Sequence, residues 1–322
     1  MKKGIKISLI IAAVLVVIGL SIVITVLAVN DFDYELLNGS GKVETKEALL
    51  IEEFNNINID VEVIDVNLIK TNDPTCKIIY DKRENSNFEI SVVDNTLKIR
   101  ETTIRKFYFF TGFGFKKTKM EVYLPKDTYN KLVLKSATSS MNIPKDFTFD
   151  TISINSNTGH VNLFAKANEI TIKVDTGKVQ VKDITANNID IETSTGSHAL
   201  ENITVANLLR VNTDTGTLTL KNVSVHSLRA GTSTGRVYLT NVVATNRFDI
   251  NTSTGSIFLT DSDAEEIYIK TSTGNVSGTI LTSKIFYCKA NNGKVNVPRT
   301  TTGGICEITT DTGSINLTIV NP

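Results

Sequence analysis

Thr193-Ser194-Thr195-Gly196-Ser197-His198-Ala199-Leu200-Glu201-Asn202 decides the fold, because close copies of it recur on both sides at nearly constant spacing. Aligned on the glycine of each Ser/Asp-Thr-Gly turn or its equivalent, the copies fall at Gly159, Gly177, Gly196, Gly216, Gly235, Gly255, Gly274, Gly293 and Gly313, 18 to 20 residues apart. A period near 20 residues marks stacked coils. One such unit has too little apolar surface to fold alone, and stacking is what buries it.

Counting from each glycine gives columns. Seven residues before it stand Ile189, Leu209, Leu228, Phe248, Ile267, Phe286 and Cys306; five before it, Ile172, Ile191, Val211, Ala230, Ile250, Ile269, Cys288 and Ile308. Two and four after it come pairs such as Val179 and Val181, Leu218 and Leu220, and Ile257 and Leu259. Such alternation is the signature of a strand with one buried face, so each coil is expected to hold two short strands joined at the glycine corner. The acidic or hydroxyl side chain two before the glycine is expected to cap that corner, with glycine supplying a positive φ. Equivalent strands stacked about 4.8 Å apart pair in parallel, and nine coils in chain order make a rod of about 45 Å. The expected fold class is all-β, a β-solenoid of 19–20-residue coils with parallel strands, preceded by an N-terminal transmembrane helix.

Two polar columns read as ladders: Asp183, Asn202, Asn222, Asn241 and Asp261 six after the glycine, and Thr193, Thr213, Thr232, Thr252 and Thr271 three before it. Stacked like residues hydrogen-bond along a rod; the functional alternative is a row of hydroxyls and amides that recognises a linear glycan. Cys288 and Cys306 fall in adjacent columns of neighbouring coils, about 8 Å apart from coil spacing and strand rise, which is too far for a disulfide. With Cys76 the cysteine count is odd, as in no simple disulfide framework.

Ahead of the repeat, Lys2, Lys3 and Lys6 precede an uncharged apolar run over residues 7–29. As a helix this run is about 34 Å long, enough to span a bilayer, whereas a signal peptide usually has only about 7 to 15 apolar residues. The basic flank, set against Asp31, Asp33 and Glu35, places residues 1–6 in the cytoplasm and the remainder outside a cell membrane crossed once. Residues 30–50, polar around Gly39-Ser40-Gly41, read as a stalk, residues 51–135 as an N-terminal β region, and residues 136–322 as the repeat solenoid. Strands are expected at 57–63, 77–80, 88–93, 96–100 and 119–124, with a turn at Asn95 and a break at Pro125.

Within that β region Phe107, Tyr108, Phe109, Phe110, Phe113 and Phe115 crowd one loop, with Arg105 and Lys106 before it and Lys116 and Lys117 after it. Exposed aromatic clusters with basic neighbours mark contacts with membrane headgroups or a protein partner. Alternatively the loop folds back over the open apolar end that every solenoid must cover.

Composition excludes several functions. Thirty-four Lys plus Arg balance 34 Asp plus Glu, so there is no basic excess to displace counterions and no nucleic-acid partner is expected. His160, His198 and His226 sit at unrelated column positions without a metal-ligand partner, and no nucleophile elbow or phosphate loop is present; no catalytic residue, cofactor or metal is expected. His198 occupies an otherwise apolar inward column and reads as a structural histidine at a coil corner. A polysaccharide-acting β-helix enzyme gathers carboxylates on one face of successive coils, whereas the corner acids Asp175, Asp214 and Asp311 are separated by serine-bearing coils.

Three motifs carry a resemblance: Phe54-Asn55-Asn56-Ile57-Asn58-Ile59, Val122-Tyr123-Leu124-Pro125-Lys126, and the repeated Ser/Asp-Thr-Gly followed by alternating valine or leucine. Together they resemble the bacterial putative-adhesin family of unknown function, β-solenoid domains found in membrane-anchored envelope proteins of the LiaG type. Gly39-Ser40-Gly41-Lys42-Val43 is similar to the start of the related head domain of auto-transporter adhesins. The resemblance implies a non-enzymatic scaffold or adhesin-like binding module of the cell envelope, tied to envelope stress or adhesion, with an envelope protein or glycan as partner and no catalytic residues to carry over. A polysaccharide-acting enzyme and an accessory regulator of a membrane sensor kinase are the alternatives. After Ile315, Leu317 and Val320 the last coil is expected to leave an edge open to end-to-end pairing with a second copy.

Overall fold

The computed structural model describes residues 3–29, 43–103 and 117–320. Helix α1 (Lys3–Val29) has 27 residues, and its described side chains from Ile10 to Thr25 carry no charge. Its apolar residues are exposed around the whole circumference, Ile10, Val14, Leu15, Val16, Val17 and Ile18 among them. Among the described residues no helix is long and apolar enough to cross a membrane, so what stands at residues 7–29 is an N-terminal helix, and its transmembrane role is taken up below as a proposal.

All other elements are strands. The N-terminal part comprises β1 (Val43–Leu50), β2 (Asn56–Val61), β3 (Asp65–Lys70), β4 (Cys76–Arg83), β5 (Ser86–Val93), β6 (Thr96–Thr103) and β7 (Lys119–Leu124). The repeat comprises β8 (Thr128–Thr138), β9 (Met141–Ile143), β10 (Thr148–Thr158), β11 (Val161–Leu163), β12 (Lys166–Thr176), β13 (Val179–Thr195), β14 (His198–Thr215), β15 (Leu218–Thr234), β16 (Val237–Thr254), β17 (Ile257–Thr260), β18 (Asp263–Thr273), β19 (Val276–Ile280), β20 (Lys284–Asn292), β21 (Val295–Asn296), β22 (Gly304–Thr312) and β23 (Ile315–Ile319). Parallel, register-matched stacking holds throughout the repeat: Ile172 pairs with Ile191, Ile191 with Val211, Val211 with Ala230, and Ala230 with Ile250. The β-solenoid reading is correct.

Each middle coil, however, has three inward faces where two were expected. The residue six after the glycine turns the chain in the left-handed region, with φ of 58° at Asp183, 56° at Asn202, 54° at Asn222 and 52° at Asn241. Asn and Asp tolerate that conformation because a short polar side chain can hydrogen-bond locally. Past the turn, Ile184 and Ala186, Ile203 and Val205, Val223 and Val225, and Val242 and Ala244 form the third buried row. The 19-versus-20 residue variation is absorbed just beyond it, as register shifts between Ala186 and Asn188 and between Val205 and Leu208.

Two lengths of strand lie in segments read otherwise from sequence. Residues 43–50, expected as stalk, form β1, antiparallel to β4, and β3, unrecognised in the sequence, pairs with β7 and β9. The expected strands at 77–80, 88–93, 96–100 and 119–124 are present, and Asp94 and Asn95 make the turn at φ 50° and 57°. The boundary at 135 is not structural, because β8 crosses it and β2 pairs directly with β8.

Chain order and stacking order part at both ends. At the N-terminal end β2 lies between β6 and β8. At the other end β18 pairs with β22, and β22 with β20, so the coil of Gly313 sits inside and the coil of Gly293 is outermost. The expected outermost position of the last strand is therefore corrected: β23 pairs along its length with β19, and its first residues Ile315 and Asn316 pair on the other side with Val295 and Asn296 of β21. Two features of the sequence make room for this exchange. A Cβ on Gly303 would stand 1.8 Å from the Ser283 carbonyl oxygen, and one on Gly304 1.8 Å from that of Glu265; only glycine fits between the flanking strands. Across the inserted strand the buried Lys284 Nζ meets Asp263 Oδ1 at 2.9 Å, and Thr282 Oγ1 donates to Asp263 Oδ2 at 2.6 Å.

The N-terminal end is covered by antiparallel strands. β4 pairs with β7 and β5 with β6, and Ala48, Leu50, Tyr80, Phe88, Ile90 and Val92 pack on the core. The aromatic cluster Phe107, Tyr108, Phe109, Phe110, Phe113 and Phe115, with Lys116, lies outside the described residues; Lys117 is described and exposed.

Candidate functional site

The corners set the geometry of the rod's surface. A Cβ on Gly177 would lie 1.7 Å from the carbonyl oxygen of Gly159, and one on Gly196 1.6 Å from that of Gly177. Each corner thus rides on the carbonyl of the corner beneath it, and closeness is the requirement that excludes a side chain. The expected positive φ is not what the glycines share, since Gly196, Gly274 and Gly293 are outside the left-handed range while Gly159, Gly177, Gly216, Gly235, Gly255 and Gly313 have φ of 149° to 158°. In the Gly313 and Gly293 coils the same contact follows the exchanged order, Gly313 over Gly274 and Gly293 over Gly313.

The expected capping residue is also different. Position +1 does it: Thr217 N donates to Ser197 Oγ at 3.3 Å, Asn275 N to Ser256 Oγ at 3.1 Å, and Lys178 N to His160 Nδ1 at 3.2 Å. That leaves the row two before the glycine, Asp175, Ser194, Asp214, Ser233, Ser253 and Ser272, exposed along one edge. Between it and the row four before the glycine runs a shallow groove. One length, about 320 Å³, is lined by Lys173, Asp175, Glu192, Ser194, Asn212 and Asp214. The next, about 470 Å³, is lined by Asn212, Asp214, Gly231, Ser233, Asn251 and Lys270 among others. Shared residues make the two continuous, about 24 Å over five coil spacings.

Buried threonines form the floor. Thr213, Thr232 and Thr271 each donate to the glycine carbonyl one coil back, at 3.2 Å to Gly196, Gly216 and Gly255. Only Thr193 and Thr213 bond side chain to side chain, at 2.9 Å, so the expected threonine ladder is mostly a set of corner braces. Thr252 lines the larger length of groove, is 5% exposed, and its Oγ1 has no partner among the described residues. The asparagine ladder does form: Asn202 Nδ2 donates to Asp183 at 2.7 Å, Asn222 to Asn202 at 2.9 Å, and Asn241 to Asn222 at 3.2 Å. Asp261 has no donor to extend it and accepts from Thr279 Oγ1 at 2.9 Å.

His198 is inside the rod, 1% exposed, in register with Val179 and Leu218. Its Nε2 stands 3.0 Å from Thr193 Oγ1 and 3.2 Å from the Asn212 carbonyl oxygen, and Nδ1 has no partner. A carbonyl can only accept, so Nε2 carries the proton. Burial lowers the pKa to about 4, with the Asn212 hydrogen bond opposing it. Cys306 is opposite Phe286 and not Cys288, so the register keeps the two thiols in separate columns as expected. Among the described residues no group of three His, Cys, Asp or Glu could hold a metal ion.

Sequence reading missed the row four before the glycine, because Lys173, Glu192, Asn212, Gly231, Asn251 and Lys270 are half-buried or exposed and share no residue type. It also missed Tyr238 and Phe258, which stack at 4.9 Å and 10° on the outer face of adjacent coils; their common position, three after the glycine, was the available signal.

A family model for the Toastrack DUF4097 domain matches the chain twice, over residues 54–209 and 206–322. The chain belongs to the Toastrack DUF4097 family. Here the two Toastrack matches form one continuous ladder, with β13, β14 and β15 paired across the junction. Among curated proteins none matches. Solved structures similar to this Toastrack chain include a "putative adhesin" from Bacteroides fragilis, 15% identical with TM-score 0.43 over 87% of this chain and 99% of that one. Others are a "putative adhesin" from Parabacteroides merdae, 18% identical with TM-score 0.42, and a "putative lipid binding protein" from Parabacteroides distasonis, 18% identical with TM-score 0.43. Each of these two covers 87% of this chain and 98% of its own.

Proposed function

We propose that this protein is a membrane-anchored, extracytoplasmic, non-enzymatic binding scaffold of the cell envelope, which holds the groove above the bilayer for an envelope protein or glycan. The observation that carries the reading is α1, whose described side chains are apolar and exposed on all sides. A helix apolar all round needs lipid or a protein core around it, and residues 7–29 contain no charge. The basic N-terminal flank supports a cytoplasmic N-terminus. A role in adhesion or envelope stress, directly or through a sensor kinase in the same membrane, fits such a scaffold.

The test has two parts. Intact cells treated with protease should lose the rod while residues 1–6 stay protected, and rod protection would overturn the topology. The detergent-solubilised chain should capture its partner from envelope extract or on a glycan array, and Ser233→Arg with Ser253→Arg, which fill the groove from exposed positions, should abolish capture while the circular dichroism spectrum is unchanged. Undiminished capture would remove the groove from the function. A second reading rests on one observation: Asp175, Glu192 and Asp214 line the same length of groove. Glu192 is tied to Lys173 at 3.0 Å. Release of reducing ends from envelope polysaccharide, lost in Asp175→Asn and Asp214→Asn, would establish an enzyme in place of a scaffold.

A further inference from the structure

The two ends of the rod are finished differently. At the N-terminal end the outermost strand on one side is β1, and its exposed residues include Glu44, Lys46 and Glu47. Charges on an edge strand discourage pairing with another chain. At the far end β20 pairs only with β22, and among the described residues no other strand lies along it; a further bond to its backbone runs from Thr300 Oγ1 to the carbonyl of Lys284, its first residue. Its side chains Phe286, Cys288 and Ala290 are packed on the core yet only partly buried, because no further coil covers them. Tyr287 is 60% exposed, and Lys289 is the only exposed charge between Ile285 and Asn292. β20 also has no proline or positive-φ residue to bend it away.

We propose that two copies of this chain join end to end through β20, antiparallel and centred on Cys288. A two-fold axis needs only this one surface, and because each copy uses the same surface the assembly closes at a dimer. The register follows from the strand itself. β20 runs from Lys284 to Asn292, so complete antiparallel overlap puts its midpoint, Cys288, opposite its own copy. In that register Phe286 faces Ala290 of the second copy, continuing the core, and exposed Tyr287 faces Lys289. Moving the centre to Lys289 would set two lysines directly opposite each other, which is destabilising; moving it to Tyr287 loses two residues of overlap. Opposed residues in an antiparallel pair have Cα atoms about 4.5 to 5.5 Å apart, within the range that a disulfide bridges. Cys76 and Cys306 are buried in the rod at 1% and 0% exposure, so Cys288 alone can report the contact.

The experiment uses the full chain in detergent. Sedimentation should show a dimer that dissociates on dilution. Diamide, which takes up the two electrons and two protons released as two thiols become one disulfide, should give a covalent dimer linked only through Cys288 by peptide mapping. Tyr287→Lys, at an exposed position that the monomer tolerates, places lysine opposite Lys289 twice and should weaken the dimer about tenfold; adding Lys289→Glu should restore it. A monomer at 100-fold dilution series up to about 100 μM, a standard span for weak dimers, overturns the proposal. So does a dimer indifferent to Tyr287→Lys, or one in which diamide leaves Cys288 unlinked.

Discussion

His198→Leu separates one buried titration from everything else in the rod. The neutral imidazole fits an apolar column between Val179 and Leu218, with its one proton on Nε2 directed to the Asn212 carbonyl and Thr193. A second proton would sit on Nδ1, which has no acceptor, and burial therefore lowers the pKa from 6.5 to about 4. Because the folded value lies below the unfolded one, the unfolded chain binds the proton first as pH falls. The stability is complete above about pH 6.5 and is lost between there and about pH 4, by about 1.4 kcal/mol at pH 5.5 and on the order of 3 kcal/mol at pH 4. Leucine repeats the residue one coil on, Leu218, and cannot titrate. Guanidinium unfolding of both proteins at pH 7, 5.5 and 4, with hydrogen exchange over residues 193–215 as the local readout, should show wild type losing this much more than His198→Leu. Glu101 and Asp190, both raised by burial, act in the opposite direction and cancel because both proteins contain them. Parallel pH profiles for the two proteins would refute the argument.

Gly196→Ala should destabilise by about 3 kcal/mol, because its methyl meets a backbone carbonyl at 1.6 Å; Gly231→Ala, whose Cβ would meet only the Asn212 side-chain oxygen at 2.9 Å, should cost under about 0.5 kcal/mol in the same denaturation assay. Asp263→Ala should cost about 3 to 5 kcal/mol by stranding buried Lys284, with Lys284→Met in the same chain recovering most of it, and the loss should appear as selective hydrogen exchange in β20 and β22. Asn202→Ala, at φ 56° and in the middle of the ladder, should lose roughly 1 to 2 kcal/mol, and Asn202→Gly should lose less, since glycine keeps the left-handed turn.

Much of the rod was legible in the residues. Period-2 alternation around a fixed glycine is a local signal, and it located both strands flanking each corner, the inward columns and the asparagine row. The third face was hidden because its pairs, Ile184 and Ala186 or Val223 and Val225, follow a left-handed residue that shifts the alternation by one residue. The groove was partly visible: Asp175, Asp214 and the threonines were singled out, but as caps, ladder members and stray acids. Whether a side chain caps a corner or faces solvent depends on the coil stacked against it, and that lies 19 or 20 residues away.

The sequence by itself determined that the chain is a stack of coils, where each glycine corner falls, and which side chains of the two strands flanking it point inward, because all three depend on the spacing of neighbouring residues. Only the tertiary structure decided the order of the coils. A strand carries no record of which equal partner it pairs with, and the parallel ladders of the Gly274, Gly293 and Gly313 coils are nearly interchangeable. Long-range contacts settled the matter: two glycines at 303 and 304 thin enough to slip between strands, and one buried ion pair, Lys284 with Asp263, that closes over them. That exchange moved the open end of the rod from Ile315 and Leu317 to β20.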